Sequence, residues 1–129
     1  MRLSPALVTF LTERHLATLV TLRADGTPHA VPVGFTHRTE GEQVLVRVIT
    51  SGTSVKAANV RTTARASVTQ IDGPRWVTFE GPARVLADPE SVASAVEAYA
   101  QRYRQPRERD DRVVIEIEVQ RMMCNSGSK

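Results

Sequence analysis

The chain is poor in cysteine, aromatic residues and lysine, and it has no long apolar run. Its 129 residues include a single cysteine, Cys124, which excludes an internal disulfide framework and suits a reducing compartment. Aromatic residues make up 5% of the chain, too few for a base-stacking platform. No helix-turn-helix, zinc-finger or RNA-recognition signature accompanies the net charge of +3, so no nucleic acid is expected as partner. No apolar stretch approaches the ~20 residues of a membrane span. The start, Met1-Arg2-Leu3-Ser4-Pro5, lacks the layout of a secretory signal. A cytoplasmic protein without a membrane partner is therefore expected. His15, His29 and His37 do not stand at ligand spacing, so no metal site is expected. There is no Ser-His-Asp order and no nucleophile elbow, and no catalytic side chain can be named.

Positive charge is present in quantity but almost entirely as arginine. There are fifteen arginines and two lysines, Lys56 and the last residue, Lys129. Lys56 falls in the stretch Val44 to Arg61, VLVRVITSGTSVKAANVR. Its first part, with Val44, Val46, Val48 and Ile49, has the β-branched character of a strand. Thr50-Ser51-Gly52-Thr53-Ser54 is a small hydroxyl-rich turn, and Ser54 is a good N-cap for a short helix over Val55 to Val60. A strand, a polar turn and a helix start together gather free backbone N–H groups that attract anions, phosphate above all. A lysine in the first helical turn opposes the helix dipole, and a bound phosphate removes that conflict. A solvated lysine beside an ordinary turn is the plainer reading of the same residues.

The remaining pattern is mostly strands. Ser4 to Arg14 reads as a capped amphipathic helix with Leu7, Phe10 and Leu11 on its apolar face. His15 to Arg23 alternates with apolar residues on both faces, as a strand buried on both sides does. Asp25-Gly26 signals a hairpin, and His29 to His37 is the return strand. There Pro32 marks an edge or bulge, and Gly34 leaves room for a flat group against the backbone. Arg38 to Gln43 reads as a polar turn. Ala64 to Ile71 and Arg75 to Leu86 are strands, the latter bent near Gly81-Pro82. Asp88 caps a helix running to about Tyr103. Gln105 to Asp111 is a charged loop, Arg112 to Val119 the last strand, and residues from about 122 a frayed tail. The sum is one domain over 1–129: mainly β, six antiparallel strands in a closed or half-closed barrel with two to three short helices.

Three stretches in order, RADGTPHAVPVGF (Arg23 to Phe35), VRVITSGTSVKAANV (Val46 to Val60) and QIDGPRWVTFEGPARV (Gln70 to Val85), carry a resemblance over nearly the whole chain. So do Thr12 to Ala17 and Tyr99 to Arg107. The chain resembles the split β-barrel flavin and deazaflavin oxidoreductases of the pyridoxamine 5'-phosphate oxidase superfamily, and within them the F420-dependent biliverdin reductase branch. The resemblance implies an FMN-binding-like split barrel, a homodimer with the cofactor in a groove between two barrels, and F420 (alternatively FMN) as cofactor. It implies hydride transfer from reduced F420 to a flat conjugated small molecule such as biliverdin. It places the ring against Val31, Pro32, Val33 and Gly34 and against Val48, Ile49 and Thr50, with phosphate held by Ser51, Ser54, Lys56 and Ala57. Arg75 and Trp76 fall where the pyridoxamine-phosphate branch has a cofactor-contacting Arg and Gln; packing in a dimer core is the plainer reading of Trp76. The arginines from Arg102 to Arg112 face either an anionic tail or substrate, or only solvent.

Overall fold

A computed structural model describes residues 1–125. The first helix, α1 (Pro5–Thr12), is opened by Ser4, whose hydroxyl accepts a hydrogen bond from the Leu7 amide at 3.1 Å. Pro5 occupies the first turn, where its missing N–H is not needed. Leu7, Phe10 and Leu11 are all buried, as their spacing requires. Strands β1 (Ala17–Leu22) and β2 (Pro28–Val33) form an antiparallel hairpin. In its turn Asp25 Oδ1 accepts from the Thr27 amide and Gly26 takes φ +87°, a conformation glycine adopts without strain.

The strand expected over His29 to His37 is two strands. β2 runs through Pro32, which pairs with Thr18, and ends at Val33. Gly34 and Phe35 then turn the chain into β3 (Thr36–Glu40). The polar turn expected over Arg38 to Gln43 shrinks accordingly, because Arg38, Thr39 and Glu40 pair with β4 (Gln43–Ser51). Helix α2 (Val55–Thr63) follows, then β5 (Arg65–Asp72), β6 (Arg75–Leu86), α3 (Pro89–Arg102), β7 (Arg112–Glu118) and β8 (Arg121–Cys124). The expected frayed tail is in part this last strand: Met122, Met123 and Cys124 pair with Phe79, Thr78 and Val77. Residues 126–129 of that tail lie outside the described residues. The described residues thus hold eight strands where six were expected, one from the break at Gly34 and one from β8.

All pairings are antiparallel, in the order β2-β1-β5-β6-β7-β4-β3, with β8 beside β6. The architecture is the expected split barrel. β6 belongs to both halves: Arg75 to Pro82 pair with β5, and Ala83 to Leu86 with β7. A Cβ on Gly81 would overlap the Glu118 carbonyl oxygen, so glycine permits the close crossing at that bend. The two outer strands of the order, β2 and β3, are joined through Gly34-Phe35, so the two sheet edges meet at this corner.

Phe10, Leu19, Phe35, Val46, Val68, Phe79, Ile115 and Ile117 fill the interior, each fully buried. Truncating one of the phenylalanines to alanine is of the order that costs about 3–5 kcal/mol. The other face of β1 differs from expectation. Leu16 and Ile71 are 65% and 66% exposed, and Leu22 and Met123 are also open to solvent. A single chain therefore leaves these apolar side chains uncovered on one face of the sheet. No helix among the described residues is long and apolar enough to cross a membrane.

Candidate functional site

The corner where β2 ends, β4 ends and α2 begins is a cleft of about 430 Å³, within the range of small-molecule sites. Pro32, Val33 and Gly34 line one side, Ile49, Thr50 and Ser51 another, and Ser54 and Lys56 the floor at the helix start. Eight of the residues expected from sequence thus share one cavity. Ser54 caps α2 as anticipated, its Oγ accepting from the Ala57 amide at 3.2 Å.

Most N–H groups of the turn are already bonded. Gly52 donates to the Asp111 carbonyl at 2.7 Å, Thr53 to Ser51 Oγ at 3.2 Å and Ser54 to the Ser51 carbonyl at 3.1 Å. The amides of Val55 and Lys56, the first two of the helix, have no such partner among the described residues. They are the free anion-binding donors, whereas the expected Ala57 amide is taken up by the cap. The Lys56 ammonium is half-buried in the cleft, and none of the ion pairs among the described residues includes it. Burial pushes its pKa down, because a charge withdrawn from water without a partner is disfavoured. A lysine without an ion-pair partner among the described residues, in the same cleft as a helix start, fits an anionic group, and the Pro32, Val33 and Ile49 side chains of that cleft fit a flat ring.

Other expected residues are placed differently. Val48 is buried in the core and Val31 packs against that core; neither lines the cleft, which takes up the strand ends beyond them. Arg75 and Trp76 do not line this cleft. Arg75 bonds Glu13 and Asp72 at 3.0 and 2.8 Å and lies over the Phe10 ring; Trp76 pairs with Ile71 and donates its amide to Asn125. The room beside Gly34 is also filled: a Cβ there would meet Tyr99 and Tyr103 ring atoms at 2.9–3.1 Å. The flat group against that backbone is the protein's own tyrosine pair.

Four cleft residues were not singled out as site residues: Tyr99, Pro106, Arg109 and Arg112. The signal was the run of arginines after α3, which the fold divides. Arg102 turns inward, donating to the carbonyls of Glu13 and Phe35 and to Gln70 Oε1 at 2.9, 2.7 and 2.5 Å. Arg109 and Arg112 face the cleft. Arg109 is held by Asp111, whose carboxylate also accepts from Ser51 Oγ at 2.5 Å. These bonds, the Arg109 one foremost, hold the Asp111 carboxyl below its usual pKa.

Two other groupings fit a ligand less well. A cavity of about 450 Å³ under the start of α3 is lined by charges of both signs, and Arg38 with Glu40 and Arg84 with Glu116 pair across it. Its charged side chains outnumber Leu45, Leu86 and Val114, and carboxylates stand among them, which disfavours an anionic group. Glu13, His15 and Asp72 converge on one another, but the Arg75 guanidinium already binds both carboxylates.

The family model for pyridoxamine 5'-phosphate oxidase matches residues 3–123. The chain is 48% identical over 122 residues to an F420H(2)-dependent biliverdin reductase of Mycobacterium tuberculosis (strain CDC 1551 / Oshkosh), covering 95% of this chain and 88% of that protein. Among solved structures it resembles a conserved hypothetical protein from Mycobacterium tuberculosis, with TM-score 0.76 and 24% identity over 96% of this chain and 85% of the other. It also resembles a protein described as an F420 reductase, with TM-score 0.71 and 22% identity over 89% and 94%. At those identities the two structures speak to the fold.

Proposed function

The chain belongs to the pyridoxamine 5'-phosphate oxidase family, and from that premise we propose that it is an F420-dependent oxidoreductase that reduces biliverdin to bilirubin. The observation that carries the reading is the unpaired, half-buried Lys56 beneath an aliphatic cleft at a helix N-terminus. The 48% identity to an F420H(2)-dependent biliverdin reductase supports the choice of cofactor and acceptor.

In this reading Lys56, Ser54, Ser51 and the amides of Val55 and Lys56 hold the cofactor phosphate. Pro32 and Val33 on β2 and Ile49 and Thr50 on β4 bound the ring, with Gly34 at the cleft edge just past β2. Reduced F420, when bound, supplies a hydride. The protein's part is to align acceptor and donor face to face and keep water from between them; the aliphatic side chains of Pro32, Val33 and Ile49 suit that task. With biliverdin as acceptor, that hydride would be taken up at the central methine carbon and a proton at a pyrrole nitrogen. No side chain of this chain need be a nucleophile.

The exposed Leu16, Leu22, Ile71 and Met123 on one sheet face support a homodimer, since a second copy would take those apolar side chains out of water. A second copy is the natural occupant, and it gives Trp76 a packing role beside that face. Anaerobic mixing of F420H2 with biliverdin and the protein tests the activity: loss of the long-wavelength bilin band is expected, at a rate linear in protein. Absence of that loss, with F420 fluorescence still quenched on titration, removes biliverdin as acceptor but keeps the cofactor. An FMN-dependent oxidoreductase of the same fold is the outcome if FMN binds and F420 does not.

A further inference from the structure

Ser51 has a single O–H to donate, and the structure shows where it goes. Ser51 Oγ lies 2.5 Å from Asp111 Oδ2, the length of a charge-assisted O–H···O⁻ bond. The same Oγ accepts from the Thr53 amide. Asp111 is fixed from behind by its carbonyl, which accepts from Gly52, and from the side by Arg109, which donates to both carboxylate oxygens. A Cβ on Gly52 would stand 3.1 Å from that carbonyl, so loop and turn are in close contact. A full negative charge is therefore anchored one hydrogen bond from a hydroxyl of the cleft.

We infer that Asp111 is a specificity-determining residue, setting the charge of phosphate the cleft accepts: a singly charged phosphodiester is admitted in preference to a doubly charged phosphomonoester. This rests on the cleft being the cofactor site. An incoming phosphate that uses Ser51 must take its proton from Asp111 and then lies within a few ångströms of the carboxylate; one that avoids the carboxylate forgoes that donor. A diester carries one negative charge; a monoester carries up to two above its second pKa of about 6. Like charges at such range repel, and the repulsion scales with the charge on the phosphate group that stands nearest the carboxylate. The cations facing the site are Lys56 from α2, Arg112 at the start of β7, and Arg109, which is already held by Asp111. F420 attaches its chain through a phosphodiester, whereas FMN is a phosphomonoester, so Asp111 separates these two cofactors by charge without touching either ring.

The test is a fluorescence titration of F420 and of FMN against the wild-type protein, Asp111→Asn and Lys56→Ala at pH 8. Asp111→Asn keeps the shape and removes the charge. It is expected to tighten FMN binding by roughly three- to tenfold and F420 binding by clearly less, narrowing the preference between them. An unchanged ratio, including FMN binding that stays undetectable, overturns the inference. Equal weakening of both ligands also overturns it, because Asp111 would then merely support the loop. Lys56→Ala separates the two levels of the argument. If it weakens binding while Asp111→Asn leaves the ratio fixed, only the role of Asp111 fails. If it changes neither ligand, the cofactor is held elsewhere and the site itself is refuted.

Discussion

Arg102 and Arg112 lie close in sequence at the two ends of one loop, and their guanidinium groups serve opposite purposes. Arg102 is enclosed by Phe35, Gln70 and the end of α1, with its bonds satisfied by protein carbonyls and an amide oxygen. Its ring neighbours, Phe35 and Tyr103, lie 4.8 and 5.1 Å from the guanidinium carbon. Arg112 lines the cleft with Lys56, and neither joins an ion pair among the described residues. The first arrangement locks α3 to the corner between β2 and β3. The second leaves cationic charge uncompensated where a ligand can reach it. Charge that is fully bonded internally is structural; charge held partly out of water without a partner marks a site.

Substitutions at the two regions test that division. Arg102→Ala carries the largest expected effect on stability, roughly 2–4 kcal/mol, because it removes the donor to the fully buried Gln70 Oε1 and to the Glu13 carbonyl, and one of the donors to the Phe35 carbonyl. A thermal or denaturant melt measures it, and a change below about 0.5 kcal/mol would erase the contrast. Lys56→Ala is expected to leave stability within about 0.5 kcal/mol while weakening F420 binding by roughly 1–3 kcal/mol. The signature is loss of affinity without loss of fold. Gly34→Ala is the smallest, about 1–2 kcal/mol of destabilisation, from its Cβ meeting Tyr99 and Tyr103. If Gly34→Ala lowered cofactor affinity with no change in melting, the tyrosines would be movable, and the glycine would matter to the ligand rather than to packing.

Much of the fold was legible because local chemistry and global packing agree. Ser4, Ser54 and Asp88 cap the three helices as their sequence positions suggest. Asp25-Gly26 turns the first hairpin. The misread places are those where no local signal exists. β8 has no alternating pattern and is a strand only because β6 offers it an edge. Arg38 to Glu40 is polar enough for a turn and becomes a strand because β4 pairs with it. Gly34 suggested open space, but α3, distant in sequence, fills it.

By itself the sequence determined the caps, the hairpin, the strand-turn-helix around Ser54 and the single lysine in that helix, all properties of neighbouring residues. The tertiary structure decided which groups share the cleft. It sent Arg102 inward and Arg112 to the site, withdrew Val48 and the Ala57 amide from it, and set Asp111 against Ser51. Those outcomes depend on contacts between segments far apart in the chain, and strand register and helix packing fix such contacts rather than any local preference.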